Sequence, residues 1–294
     1  MERELEIAGG SLYYTKQGEE IVITRLQGLA SEVRIPDRVE ELAVTRIEKK
    51  AFLSKKNLRR VWVPDTIIGI GDWAFAYCDN LEQVLLPEKE ISFGKAVFLE
   101  CKRLRLLTIE GKTEMTAALL AAAVTTAQVY YLLNLTDAGS REWLAKWDAR
   151  MMTILHGADT EGYSKQVLCG EEDYGSTDLN AFMSEKRKTK VRLLLLRLLC
   201  PEGLTKETKE ELTAYLRMHT KGCESEESWQ VILTEHGDDS AYYRLFTEIG
   251  CVNADNFDGV IAEIGEDYPE MKAFLMRYKE EQIGYTDYFA ELDF

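Results

Sequence analysis

The sequence has few of the features that mark exported or fibrous proteins. It holds 20 glycines and 5 prolines in 294 residues, which excludes a collagen-like chain. Because 46% of the residues are hydrophobic and 30% are charged, extensive disorder is also excluded. The amino terminus lacks the basic segment and apolar run of a secretory signal. The sequence therefore predicts a cytoplasmic, globular protein of one large domain or two smaller ones.

The motifs of common catalytic and metal-binding sites are also missing. The chain contains no Gly-x-Ser-x-Gly, no phosphate-binding loop, no Gly-x-Gly-x-x-Gly and no His-Glu-x-x-His. Its six cysteines are scattered without Cys-x-x-Cys pairs, so we expect free thiols. Of the three histidines, only His219 has a cysteine within four residues, Cys223, and Gly222 is expected to end the helix between them. We therefore expect no enzyme, no cofactor and no metal.

Positive charge is scarce in the second part of the chain. Residues 111–294 hold 33 acidic and 19 basic residues, whereas residues 1–110 are nearly balanced with 18 and 17. Such an acidic surface repels nucleic acid and anionic membranes, so neither is an expected partner. The uncharged run from Met115 to Thr136 is rich in alanine and threonine, and it predicts a buried helix instead of a membrane span.

The strongest positive signal is an internal repeat with a 23-residue step. Three segments of matching pattern carry it: Ile47-Glu-Lys-Lys-Ala51-Phe52, Ile70-Gly-Asp-Trp-Ala74-Phe75 and Phe93-Gly-Lys-Ala-Val97-Phe98. The same step relates three short apolar strands: Val61-Trp-Val63, Val84-Leu-Leu86 and Leu107-Thr-Ile109. An earlier copy begins at Val33, and the longer step from there to Val61 indicates a five-residue insertion in the first turn.

Each repeat unit therefore consists of a short strand and a return segment. Alternation with period two points Val61 and Val63 inward and Trp62 outward. Because one unit cannot bury its own apolar edge, the units are expected to stack into a solenoid with a parallel sheet of very short strands. Stacking predicts two interior ladders, which consist of Phe52, Phe75 and Phe98 and of Leu58, Leu81 and Leu104.

The sequence pattern of the repeat resembles that of a known family. Read from Ile70 to Pro87, the pattern Ile-Gly-x-x-Ala-Phe-x-x-Cys-x-x-Leu-x-x-Val-x-Leu-Pro is similar to the BspA-like class of bacterial leucine-rich repeats. Upstream segments resemble that family's opening hairpin and first repeat, so the resemblance covers about residues 12–110. It implies a leucine-rich repeat domain with a β-hairpin cap over residues 1–111, and a role in protein recognition.

Two cysteines occupy equivalent places one repeat apart. Stacking brings the backbones of Cys78 and Cys101 within the range of a disulfide. A redox pair is one interpretation of this spacing. Packing as small residues in an interior ladder is the other, and it is the one that we favour.

After Gly111 the apolar spacing becomes helical and predicts an acidic, all-α domain over residues 112–294, so that the fold class is α+β and multidomain. Helices are expected at 113–134, 139–156, 178–200, 205–219, 226–236, 239–249, 254–264 and 269–283. A 29-residue period and the run from Leu245 to Asn253 resemble degenerate ankyrin repeats over about residues 200–283. That resemblance implies antiparallel helix pairs.

The expected functional surface is the outward row of the repeat strands, which a solenoid displays as an extended concave face. The candidate partner-binding residues on it are Arg34, Arg60, Trp62, Gln83, Leu85, Leu106 and Thr108. Tryptophan and arginine are the commonest hot spots of protein interfaces. Two alternatives are that the acidic helical part covers this face and that the face has no role.

These features predict an intracellular interaction or scaffold module that binds an unidentified protein. One alternative is an enzyme of unknown type whose site lies in the helical domain, around His156, Glu171 and Asp173. The acidic turn from Glu171 to Tyr174 lacks the ligand spacing of a calcium loop. Another alternative is a surface adhesin that is exported without a standard signal.

Overall fold

The structure is a computed structural model that describes residues 1–163 and 178–284. The chain divides into two compact units, Met1–Ile154 and Leu155–Phe294. The predicted boundary at residue 111 marks the change from strands to helices. The first unit extends beyond it because helix α1 (Glu114–Thr125) packs against the last strand of the repeats.

The first unit begins with three antiparallel strands, β1 (Glu2–Ile7), β2 (Gly10–Gln17) and β3 (Glu20–Gly28). Strands β2 and β3 form the hairpin that the sequence resemblance implied, and β1 adds a third strand along β2. Strand β3 then pairs in parallel with β6 (Leu42–Ile47). The hairpin is therefore continuous with the repeats.

Four short parallel strands form a second sheet in the order β11-β9-β7-β4. They are β4 (Glu32–Arg34), β7 (Arg60–Trp62), β9 (Gln83–Leu86) and β11 (Leu106–Ile109). The register pairs Val61 with Val84 and Val84 with Leu107, so the 23-residue step of the sequence is also the register of the sheet. The predicted solenoid with a parallel sheet of very short strands is thus confirmed.

The return segments add short strands that the sequence did not predict. Strands β8 (Gly69–Ile70) and β10 (Ser92–Phe93) pair in parallel to extend the sheet of β6. The five-residue insertion forms β5 (Arg38–Val39), which pairs antiparallel with β6 across a turn at Glu40 and Glu41. Two-residue strands carry too little alternation to be recognised from a sequence pattern.

Both predicted ladders lie in the interior of the solenoid. Phe52, Phe75 and Phe98 are fully buried, and their ring centroids are 4.8 and 5.7 Å apart with nearly parallel planes. The leucine ladder is buried as well, at positions Leu58, Leu81 and Leu104. Burial of these side chains supplies the apolar core that a single repeat unit could not form.

Backbone hydrogen bonds tie each return turn to the next. The amide of Phe52 donates to the carbonyl of Ala74 at 2.7 Å, and that of Phe75 donates to the carbonyl of Val97 at 3.0 Å. Two positions of each turn adopt positive φ angles, and they recur with the 23-residue step: Lys50, Trp73 and Ala96, and Ser54, Tyr77 and Glu100. The repeat is therefore one of backbone conformation as well as of side chains.

The two repeat cysteines are buried free thiols. The Sγ of Cys78 donates to the carbonyl of Phe52, and that of Cys101 donates to the carbonyl of Phe75, both at 3.0 Å. Burial raises the pKa of Cys78 to about 11 and that of Cys101 to about 12. Both groups therefore stay protonated at neutral pH and serve as small interior residues with a donor for the backbone.

Helix α1 is shorter than predicted. Thr113 caps its start by accepting a hydrogen bond from the amide of Thr116 at 3.1 Å. The helix ends at Thr125, whose hydroxyl bonds back to the carbonyl of Ala121, and Gln128 has a positive φ of 52°. The predicted helix over 113–134 is therefore wrong in its second half. Among the described residues, no helix is long and apolar enough to cross a membrane.

Helix α2 (Arg141–His156) is anchored by two buried tryptophans. The indole Nε1 of Trp143 donates to the carbonyl of Leu132 at 2.9 Å, and that of Trp147 donates to the carbonyl of Leu119 at 3.0 Å. These bonds satisfy the polar ends of two large apolar side chains, so α2 is fixed to the segment that contains α1.

The described part of the second unit is helical. Its helices are α3 (Leu179–Leu199), α4 (Lys206–Met218), α5 (Glu227–Glu235), α6 (Ser240–Glu248), α7 (Phe257–Ile264) and α8 (Pro269–Tyr278). All six were predicted, and only the end of α8 differs by more than three residues, because Lys279–Ile283 continues it as a π turn. Helix α3 contacts α4, α5 and α6.

Candidate functional site

The seven predicted partner-binding residues lie on the outward face of β4, β7, β9 and β11, which we call the strand face. The strand register aligns them in two rows, one of Arg34, Trp62, Leu85 and Thr108 and one of Arg60, Gln83 and Leu106. The residues between the rows point into the core and are buried: Val33, Val61, Val84 and Leu107. The predicted alternation therefore holds on all four strands.

Trp62 lies at the centre of this face. It is half-buried, whereas its neighbours Val61 and Val63 are 0% and 7% exposed. The Cζ atom of Arg34 lies 3.9 Å from the centroid of the indole ring. This cation–π contact restrains both side chains.

The remaining residues of the face combine apolar surface with satisfied polar groups. Leu85 and Leu106 are half-buried on neighbouring strands. The Nε2 of Gln83 donates to the Oγ1 of Thr108 at 2.8 Å. Because these two polar side chains satisfy each other, a partner can cover them without breaking their hydrogen bond. The centre of the face is therefore suited to an apolar contact.

The margins of the strand face carry charged residues that were not among the predicted ones. Glu32 pairs in register with Arg60, and their charged groups are 3.6 Å apart. Further exposed charges precede or follow the strands: Arg59, Arg103, Arg105, Asp37, Asp65, Glu88 and Glu110. The 23-residue step that aligned the strands also aligns most of these positions, so the same repeat could have identified them.

The second unit contains a partly buried network of charges. Asp159 accepts hydrogen bonds from Lys190 at 2.7 Å and from Arg187 at 2.8 Å. Burial raises the pKa of this carboxyl, but the two hydrogen bonds and the positive charges outweigh burial and hold the pKa below its usual value. Lys190 also donates to the carbonyl of Gly157 at 2.7 Å. The network joins the start of the unit to α3.

Of the three residues of the alternative enzyme site, only His156 lies in the described part of the chain. His156 is mostly exposed, and its Nε2 lies 2.5 Å from the Oε1 of Glu211. Glu171 and Asp173 fall outside the described residues, as does the whole acidic turn from Glu171 to Tyr174. The Nδ1 of His219 lies 2.8 Å from the carbonyl of Tyr215. Within residues 1–163 and 178–284, no three histidine, cysteine or acidic side chains form a metal-binding group.

The repeats match a known family model. Residues 30–132 match the model of the BspA type leucine-rich repeat region. No curated protein sequence matches the chain. The match confirms the leucine-rich repeat part of the resemblance. The ankyrin-like part stays a prediction.

Solved structures of bacterial leucine-rich repeat proteins are similar to part of the chain. The Treponema pallidum leucine-rich repeat protein is 28% identical over 35% of this chain and 48% of its own, with a TM-score of 0.32. A leucine-rich repeat protein from Bacteroides capillosus is 29% identical over 35% of this chain and 78% of its own, with a TM-score of 0.31. A leucine-rich cell surface protein from Faecalibacterium prausnitzii is 23% identical over 36% of this chain and 31% of its own, with a TM-score of 0.30. The chain thus spans about half the length of the first of these proteins.

Proposed function

We propose that this chain is a protein-interaction module that binds a protein partner on the strand face. The observation that carries the proposal is the Arg34–Trp62 pair, an arginine stacked on a half-buried tryptophan at the centre of a face with two half-buried leucines. Tryptophan and arginine dominate the binding energy of protein interfaces. Leucine-rich repeat regions in general serve as interaction modules.

The charge of the chain favours a protein partner over nucleic acid. The net charge is −15, and exposed carboxylates lie at the margin of the strand face. A polyphosphate backbone would be repelled by these carboxylates. A protein surface can instead present basic groups to them, and we propose that the partner does so in the cytoplasm.

We also propose that α5 to α8 form two ankyrin-like helix pairs. Helices α5 and α7 begin at Glu227 and Phe257, and α6 and α8 begin at Ser240 and Pro269. The separation between the starts of α5 and α7 is nearly equal to that between the starts of α6 and α8, and both match the 29-residue period of the sequence. This spacing supports a repeated pair of helices in the second unit. A role in binding would then belong to both units of the chain.

Site-specific photo-crosslinking tests the proposed function. A photoreactive amino acid replaces Leu85 on the strand face, and in a matched control it replaces Ile68, which is 41% exposed and precedes β8 in the other sheet. Both proteins are irradiated in the native cell, and the adducts are identified by mass spectrometry. We expect position 85 to yield one dominant protein adduct that position 68 does not yield.

The same experiment with a second change shows whether the adduct reports the proposed site. Adding Trp62→Ala to the position 85 protein should remove the adduct while leaving the folded protein at its normal abundance. An adduct that position 68 gives equally well would contradict the proposal. An adduct between position 85 and the helical part of the same chain would replace partner binding with an intramolecular contact.

A further inference from the structure

The amino ends of the face strands carry exposed positive charge. Four arginines lie there, and we call them the basic flank: Arg59, Arg60, Arg103 and Arg105. Arg59 and Arg60 lie 3.5 and 3.6 Å from two carboxylates of the same margin, Glu82 and Glu32, in exposed pairs that stabilise little. Arg103 and Arg105 form no ion pair or hydrogen bond through their side chains within the described part of the chain. The guanidinium groups of Arg103 and Arg105 are therefore available to pair with acidic groups of a partner.

The opposite margin carries negative charge. Four carboxylates follow the strands, and we call them the acidic flank: Asp37, Asp65, Glu88 and Glu110. All four are exposed. Among the described residues, only Glu88 of these four forms an ion pair, in which its carboxylate lies 3.3 Å from the Nζ of Lys112. The side chain of Lys89 instead donates to the backbone carbonyl of Asp65.

Between the two flanks lies the apolar centre of the strand face. It is formed by Trp62, Leu85 and Leu106 on three neighbouring strands. Trp62 and Leu85 are in register in one row, whereas Leu106 is in register with Gln83 in the other row, so these side chains form a stripe that crosses the strands at a slant. The stripe therefore runs along the solenoid with positive charge on one side and negative charge on the other.

The spacing of the flanks matches the width of an α-helix. Arg105 and Glu110 are five residues apart on the last strand and its extension, which is about 16 Å at 3.3 Å per residue. A helix with its side chains is about 10–12 Å wide, so its flanking side chains can reach both margins. An extended peptide is about 5 Å wide and would meet only one flank while it covers the apolar stripe.

We propose that the occupant of the strand face is an amphipathic α-helix of a partner protein, with acidic residues along one side of its apolar stripe and basic residues along the other. This inference rests on the proposed function and specifies the chemistry of the partner. The helix lies along the solenoid, with its acidic side against the basic flank and its basic side against the acidic flank. Four strands span about 14 Å, so roughly ten residues of helix make the contact.

The charge pattern also sets the direction of the helix. A helix that lies on its apolar stripe can run either way along the solenoid, and reversal exchanges its two sides. Only one direction brings opposite charges together on both flanks, because the other brings like charges together. A helix with both charge types mixed on each side would have no such preference and would lose most of the electrostatic contribution.

Synthetic helical peptides test this inference on the full chain. The segregated peptide is long enough for about five helical turns and has a leucine stripe, glutamates on one side and lysines on the other. The mixed peptide has the same composition with the charges alternated on both sides, and a third peptide is the segregated one with two central prolines. We expect the segregated peptide to bind at least tenfold more tightly than either of the others, as measured by fluorescence anisotropy.

Protein variants show which residues are responsible for the preference for the segregated peptide. The double variant Arg103→Glu, Arg105→Glu should reduce the tenfold preference to less than threefold. The matched control Arg46→Glu makes the same kind of charge change at an exposed position of the other sheet and should leave the preference unchanged. Circular dichroism of each variant confirms that the fold is retained.

The outcomes separate this inference from the proposed function. If all three peptides bind alike and Trp62→Ala removes their binding, the face binds apolar peptides without selecting charge, which overturns the inference and leaves the proposed function standing. Equal binding of the proline peptide overturns the helical form of the occupant. If no peptide binds, the inference fails as well, and the crosslinking experiment decides the proposed function by itself.

Discussion

Phe75 is the middle ring of the interior ladder, and it contacts the phenylalanines of both neighbouring repeats. Its ring stacks on Phe52 and on Phe98, and none of its surface is exposed. Truncation at this position leaves a cavity between two rings that the stacked backbone holds in place. Such a cavity collapses poorly, so its cost adds to the lost burial.

We predict that Phe75→Ala lowers the free energy of unfolding by about 3–5 kcal/mol. Urea titration of the full chain, followed by circular dichroism, measures the change. Leu29→Ala is the control, because Leu29 is 76% exposed and its truncation should change stability by less than about 0.5 kcal/mol. A loss below about 1 kcal/mol for Phe75→Ala would mean that the ladder does not hold the repeats together.

Two glycines of one return segment differ in the space around them. A Cβ atom at Gly71 would lie 2.5 Å from the amide nitrogen of Lys49 in the preceding turn, and backbone cannot move aside cheaply. A Cβ atom at Gly69 would meet nothing closer than the carbonyl oxygen of Ser92 at 3.8 Å. The first position therefore needs glycine because adjacent turns approach closely, and the second does not.

We predict that Gly71→Ala destabilises the repeats by about 1–3 kcal/mol through steric overlap. Gly69→Ala should leave stability unchanged or raise it by about 0.4–1 kcal/mol, because alanine restricts the unfolded chain. The two single variants are compared by urea titration under the same conditions. Equal stability of the two would show that adjacent turns are not as close as the structure places them.

At the scale of elements, helix α1 closes the carboxyl end of the solenoid. Its residues pack against β11, and seven of its twelve residues are buried, including Leu119, Leu120 and Val124. A solenoid of a few turns exposes an apolar edge after its last strand and needs a terminal cap. Helix α1 has that role here, and the three antiparallel strands at the amino end extend the other sheet.

We predict that a fragment of residues 1–111 does not remain a folded monomer, because the apolar edge of β11 becomes exposed. A fragment of residues 1–154 retains the cap and is the matched control, and it should unfold cooperatively as a monomer. Size-exclusion chromatography and thermal unfolding compare the two. A monomeric, cooperatively folded 1–111 fragment would contradict the capping role of α1.

The sequence predicted elements wherever a pattern was repeated or long. The 23-residue step located three of the four face strands and both ladders, and a similar pattern that begins at Val33 located the fourth strand, because the same pattern occurs several times in the sequence. Helices α3 to α8 were located because apolar spacing and end residues such as Thr205 agree. The end of α1 was missed because its signal lies in one threonine side chain and one left-handed residue, Gln128.

At the scale of the whole molecule, the chain joins a nearly neutral repeat region to an acidic helical region. The repeats supply the strand face, whose rows could be predicted because alternation fixes which side chains point outward. The Arg34–Trp62 stack and the Gln83–Thr108 hydrogen bond could not be predicted, because both depend on side-chain torsions across neighbouring strands. The sequence therefore locates the surface, and the structure shows how its side chains are organised.

The affinity of the crosslinked partner for the Trp62→Ala variant tests the central claim most directly. Isothermal titration with the purified partner should show binding about 30-fold weaker than that of the wild type, which corresponds to about 2 kcal/mol, while the thermal unfolding midpoint stays within about 2 °C. Ile68→Ala should bind as the wild type does. Unchanged affinity of Trp62→Ala, with the fold intact, would show that the strand face is not the binding surface.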